Sequence, residues 1–371
     1  DAQTDTASTT EPIEIIIGEK TNPLPARIQP SIYLNSIENT VFNGSSTAIP
    51  TTPLTIPNVS FQVNGTIREF SIVSATQQPI AAAYQFQYPV VGTTGRTSVQ
   101  ANAIRNLDVR GSAVNFTASR SATPFQNGTT GLKYLHRATF GGNADAVGLD
   151  VNGPIRKLTF KRGIGNPTGV FTGKNSAGNN LPATSYGYNQ GSTGYPASGY
   201  LGGLVRAKSI RKLRIGAANT VLQTPQNPNF NQLSGPQTIT YVASPGNAAT
   251  NSAIVTSGSM DDVRVVGNQV NSEIKTGFDY TSYAAGLQGT RAASKIRHLN
   301  VQGSLINSVD SATVRPNSSG QYGRLVNTYG NGSIRGKLTG AVYNTGGTTA
   351  LGNTGSGVFA RHLSRRIRVK N

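Results

Sequence analysis

Cysteine and tryptophan are missing from this chain, and methionine occurs once in its 371 residues. Without cysteine there is neither disulfide stapling nor a thiolate metal site. Acidic residues are scarce as well: 15 Asp and Glu stand against 33 Lys and Arg, a net charge of +18. Asp1, Asp5, Glu11, Glu14 and Glu19 sit at the very start, so the rest of the chain has few carboxylates for chemistry. Long apolar runs are absent too. No stretch approaches the ~20 continuous apolar residues of a membrane-spanning helix. Ala-, Leu-, Glu- and Lys-rich stretches, which would favour helix, are scarce.

What the chain does have is 43 Gly, much Asn, Ser and Thr, and short runs of Val, Ile, Thr and aromatic residues between them. That pattern predicts an all-β protein. The opening DAQTDTASTTEPIE has no basic n-region and no apolar h-region. Together with the Thr-, Asn- and Gly-rich, charge-poor composition, it leads us to expect an extracellular or cell-surface protein whose signal peptide has been removed. The basic balance suits an acidic polysaccharide or cell-surface polyanion. The bases are dispersed, with one dense cluster in ARHLSRRIRVK (360–370), so specific nucleic-acid binding is not expected.

A short kernel recurs: AIRNLDVRGSAVN (103–115), PIRKLTFKRGIGN (154–166), SIRKLRIGAAN (209–219) and KIRHLNVQGSLIN (295–307). Its leading residues are Ile67, Ile104, Ile155, Ile210, Met260, Ile296 and Ile334, at uneven intervals. A fixed kernel on an irregular period indicates a solenoid with loop insertions. Within it, Leu107 and Val109, Leu158 and Phe160, Leu213 and Ile215, Val263 and Val265, and Leu299 and Val301 alternate as one strand face requires. The leading residue lies three places before each pair, so a bend must intervene if all three point inward. Ile334 departs from the pattern, its next apolar residue Leu338 coming four places on.

Gly111, Gly267 and Gly303 follow seven residues after the leading residue, and Asn115, Asn271 and Asn307 four after that. Both types tolerate the left-handed backbone of a tight turn, and stacked Asn side chains hydrogen-bond between coils. Gly340 and Asn344 keep the same interval. The expected organisation is an N-terminal arm over 1–20 and a parallel β-helix over 21–371. Loop insertions are expected near 164–203 and 217–252. The first contains Tyr186, Tyr188, Tyr195 and Tyr200, which either form a carbohydrate-stacking surface or pack on the coil beneath.

In these columns the chain resembles right-handed, single-stranded parallel β-helix proteins of the pectin-lyase-like kind, and more narrowly secreted β-helix surface and fibre proteins of planctomycete-type bacteria. VRVVGNQVNSEIKTGFDY (263–280) and HLNVQGSLINSVDS (298–311) carry the likeness most clearly, over roughly residues 60–371. It implies a surface or extracellular location and a structural or adhesive role.

Catalysis finds little to work with. Polysaccharide hydrolysis needs paired carboxylates, and lyase chemistry a base, often beside Ca²⁺. Asp261-Asp262 is the sole adjacent acidic pair, and strand neighbours face opposite sides unless a bend intervenes. Asp145 and Asp150 are at most a weak cation site, and His136, His298 and His362 have no metal-ligand spacing. We assign no catalytic residue, metal ligand or cofactor.

Arg68, Arg105, Arg156, Arg211, Arg297 and Arg335 each follow the leading residue and should form an outward column. The column either holds a polyanion or caps corner carbonyls. At Met260 the Arg is replaced by Asp261, which would pair with Arg211 or Arg297 if those coils are adjacent. Solenoids expose open strands at both ends. Here the head is acidic and carries Ile13, Ile15 and Ile17, and the tail carries Arg361, Arg365, Arg366 and Arg368. Head-to-tail assembly into a homopolymer would be charge-matched, the arm either donated to the next copy or forming the first coil of its own chain. The sequence thus points to a structural subunit of an extracellular filament or surface layer. An adhesin or acidic-polysaccharide-binding solenoid, and then a polysaccharide lyase or hydrolase, are the alternatives.

Overall fold

The computed structural model describes residues 13–18, 21, 23–34, 59–72, 97–110, 113–114, 116–122, 124–125, 129–142, 144–145, 147–165, 203–216, 221–223, 239–241, 246–282, 286–289, 293–314, 331–346, 355–364 and 367. All regular structure among them is β, and no helix occurs. Eighteen strands join one sheet. Two antiparallel hairpins stand apart from the parallel pairings, Val221–Gln223 with Ile239–Tyr241 and Phe278–Ser282 with Gly286–Gly289.

The kernels stack on one another in register. Ile67 pairs with Ile104, Ile104 with Leu135, Leu135 with Ile155, Ile155 with Ile210, Ile210 with Met260, Met260 with Ile296, and Ile296 with Ile334. Every member of that file is buried. A second inward file runs Phe70, Leu107, Ala138, Leu158, Leu213, Val263 and Leu299. The bend inferred from the three-residue offset is real. Strands such as Leu135–Phe140 and Lys295–Val301 bury the leading and following apolar residues with two exposed residues between. Aromatic rings share the interior, Phe140 lying flat on Phe160 at 5.1 Å between centroids. Continuous aliphatic files of this kind are the main stabilising term, each buried Ile or Leu contributing roughly 1.5–3 kcal/mol.

The strand Leu135–Phe140 forms a rung that the kernel search passes over, because Leu and Ala stand where the other kernels have Ile and Leu. Ile334 is resolved by a register shift. Ser333–Leu338 has one residue fewer at the bend, so Gly336 faces Leu299 and Leu338 faces Val301. Leu338 therefore fills the second position of the apolar pair rather than the first.

Two further stacks follow each kernel. A short one contains Asn247–Thr250, Asn268–Val270, Leu305–Ile306 and Val342–Tyr343. A third contains Val147–Asp150, Gly203–Ala207, Ser252–Thr256, Glu273–Thr276, Val309–Ala312 and Gly357–Ala360. Stacking in the short stack thus resumes at Asn247, within the 217–252 stretch. This succession of parallel stacks fits a β solenoid.

The corners show why Gly and Asn recur. Asn251, Asn271 and Asn307 adopt φ of 46°, 49° and 45°. Asn271 Nδ2 donates to Asn251 Oδ1 at 3.1 Å and Asn307 Nδ2 to Asn271 Oδ1 at 3.3 Å. The following serines form a second ladder, the amides of Ser252, Ser272 and Ser308 donating to the hydroxyls of Ser272, Ser308 and Ser356. At the glycine corner the reason is mostly close approach. A Cβ on Gly303 would lie 2.1 Å from the carbonyl oxygen of Gly267, and Gly267 alone of that pair needs positive φ, at 124°.

Candidate functional site

The outward face of the kernel stack gathers the basic residues. Because the kernels bend between the leading residue and the next apolar one, two consecutive side chains per rung point to solvent, and one at the shortened bend of Ser333–Leu338. The first file reads Arg68, Arg105, His136, Arg156, Arg211, Asp261, Arg297 and Arg335, as the paired residues on either side fix it. All six arginines are exposed. The second file reads Glu69, Asn106, Arg137, Lys157, Lys212, Asp262 and His298. Single-sequence reading found the Arg column but missed His136, whose rung it did not recognise, and the second file beside it.

Neighbouring rungs are ~4.8 Å apart. At that separation two like charges repel by about 0.9 kcal/mol in bulk water. Among the described residues, partial relief comes from three exposed or half-buried ion pairs. Arg297 Nε lies 3.1 Å from Asp261 Oδ1, the ion pair expected from the substitution at that coil. Arg214 pairs with Asp262, and this hydrogen bond is the main reason the Asp262 carboxyl titrates below its ordinary range. Arg110 pairs with Asp108 at 3.3 Å. Both Asp261 and Asp262 face outward, since the bend falls between Met260 and Val263; the strand alternation that would separate them does not operate here. His136 titrates below its usual value, through partial burial first and then the guanidinium groups of Arg105 and Arg156 on adjacent rungs. Its ring stacks on Tyr134 at 4.5 Å.

Elsewhere the charged groups are structural. Asp150 is fully buried: its Oδ1 lies 2.6 Å from Arg206 Nη2, and its Oδ2 accepts from Thr130 Oγ1 at 2.5 Å and the Phe125 amide at 2.6 Å. Arg206 also donates to Asn152 Oδ1 at 2.6 Å. That occupancy removes Asp150 as a cation ligand. Glu273 and Lys275 form a second buried pair in the third stack, with the Phe278 ring 5.5 Å from the ammonium. Burial holds the Lys275 pKa below its ordinary range. Among the described residues, no three His, Asp or Glu side chains come together as a metal site.

At the N-terminal end, Ile13–Ile17 pairs in parallel with Val59–Val63 of its own chain, and Ser31–Leu34 with Glu69–Ile72. At the C-terminal end, Gly357–Ala360 and His362–Leu363 are the last strands of the third and kernel stacks. Arg361 is exposed there and donates to Asn331 Oδ1 at 2.7 Å. Arg365, Arg366 and Arg368, and the tyrosines 186, 188, 195 and 200, lie outside the described residues. No helix among the described residues is long and apolar enough to cross a membrane. No protein-family model, curated protein or solved structure matches this chain.

Proposed function

We propose that this chain is a right-handed, single-stranded parallel β-helix of the pectin-lyase-like kind, acting as the structural subunit of an extracellular filament or surface layer. Copies add end to end. The observation that carries this reading is where large apolar side chains remain exposed among the described residues. Ile15, Ile16, Ile28 and Tyr33 belong to the first rung, and Tyr343 and Leu363 lie on the last described strands of the short and kernel stacks. Ile16 is 58 % exposed and Tyr33 63 %, values that edge strands of a solitary molecule normally avoid.

The strand order supports the same joint. Among the described residues, the first rung ends the third stack with Ile13–Ile17 and the kernel stack with Ser31–Leu34. The last presents Gly357–Ala360 and His362–Leu363 in the same two stacks. Like stacks therefore meet like when one copy follows another, and parallel pairing continues across the junction. Acidic Glu14 at one end faces basic Arg361 at the other. Such a contact joins two different surfaces and does not close, so it propagates. Ile13–Ile17 pairs within its own chain, which favours an edge-on-edge joint over a donated arm.

Sedimentation velocity of the purified protein and of Ile16→Lys tests this. The parent should form concentration-dependent large species and the variant should remain a single copy. A parent that stays monomeric at high concentration would overturn the proposal.

A further inference from the structure

Four consecutive rungs of the kernel stack, from Thr97–Val109 to Ser209–Ile215, carry Arg105, Arg137, Arg156, Lys157, Arg211 and Lys212 on one face. Five are exposed and Lys157 is half-buried. None has an ion pair or side-chain hydrogen bond among the described residues, so the corner-capping role for Arg105, Arg156 and Arg211 finds no acceptor there. The run spans about 14 Å along the stacking direction, three strand spacings. Its last two rungs, Pro154–Phe160 and Ser209–Ile215, present two adjacent cations each. Six like charges so close together favour an anionic partner, and a polymer is the anion that can meet successive rungs at once.

We infer that this face binds a linear sulfated polysaccharide lying along the stack. Charge density selects it. A polyuronate carries one carboxylate per sugar, whereas six cations over four rungs match a chain with more than one sulfate ester per sugar. Guanidinium forks bind such oxyanions bidentately. His136 supplies a ring N–H hydrogen-bond donor within the file. Single-stranded nucleic acid is disfavoured because its binders alternate cations with aromatic platforms. On this face the aromatic rings are confined to one rung, His136 with Tyr134 stacked on it, and do not alternate with the cations. The inference is independent of end-to-end assembly, since the face lies within a single copy.

The test titrates the full-length protein with heparin, polygalacturonate and a single-stranded oligonucleotide, each at matched charge concentration. Arg156→Ser/Arg211→Ser is compared with Arg120→Ser/Lys208→Ser, which makes the same net-charge change at exposed positions outside the kernel strands. Heparin should bind most tightly and weaken with salt. The first variant should lose about tenfold in affinity, the second less than about threefold. Equal losses in the two variants, or tighter binding of polygalacturonate or of the oligonucleotide, would overturn the inference. Circular dichroism of both variants checks that the fold is kept.

Discussion

Asp310 offers the sharpest quantitative test of the interior. It occupies an inward position of Val309–Ala312, in file with Ile274 and Val358, both buried in the apolar core. Its one side-chain partner among the described residues is Gln269, whose Nε2 donates to Oδ2 at 3.1 Å. Asp310 Oδ1 and Gln269 Oε1 have none. A proton on the carboxyl supplies the missing donor, turning the pair into a mutually bonded acid and amide. Burial raises the Asp310 pKa to about 7, against the smaller opposing effect of the Gln269 hydrogen bond. In the unfolded chain the same group titrates near 3.9, so the folded state binds the proton more tightly. The stabilisation is full below about pH 4 and is lost as pH rises through about 7, about 4 kcal/mol in all. Asp310→Asn replaces the acid by a permanent donor and acceptor. Urea unfolding from pH 4 to 8 should give the parent a falling midpoint, and the variant a curve without that component. Above pH 7 the variant should be the more stable by several kcal/mol. The charged neighbours Glu273 and Lys275 are present in both proteins, so the difference isolates Asp310. Parallel pH curves would refute the reasoning.

Other perturbations probe the remaining devices. Lys275→Met strands a buried carboxylate and should cost about 3–5 kcal/mol, whereas Glu273→Gln/Lys275→Met should recover most of it; urea midpoints of the two variants decide. Asn307→Gly keeps the left-handed backbone and loses the ladder bonds to Asn271 and Thr345, while Asn307→Ala loses both. Alanine should therefore be worse than glycine by about 1–2 kcal/mol in the same assay. Gly303→Ala drives a methyl against the Gly267 carbonyl and should destabilise by about 1–3 kcal/mol or more, read as a fall in thermal midpoint.

Much of this architecture is legible in one sequence because the kernel breaks strand alternation in the same place each time. Ile104, Ile155 and Ile210 announce a shared inner file, and the three-residue step to Leu107, Leu158 and Leu213 announces the bend. The glycine corners are legible as well, although Gly303 is required by close approach rather than by a left-handed backbone. Leu135 was hidden by its Leu and Ala substitutions, and His136 with it. The third stack is opaque for a different reason. All four residues of Glu273–Thr276 are buried, so neither face shows alternation. Partners such as Asp150 and Arg206 are brought together by register across an insertion. Nothing in the local sequence around Asp310 marks it as inward-facing; its file with Ile274 and Val358 does. The basic face was half visible, since the second file of Arg137, Lys157 and Lys212 emerges only when the bend is seen to expose two residues per rung.

The central claim is that rungs stack within a copy and continue into the next. Electron cryo-microscopy of the purified protein measures this directly. Ten strands from Ser31–Leu34 to His362–Leu363 form the kernel stack, so the account predicts filaments with an axial repeat on the order of 50 Å. Ile13–Ile17 of one copy should lie against Gly357–Ala360 of its neighbour. Single monodisperse particles, or filaments joined through the sides of the rungs, would contradict it.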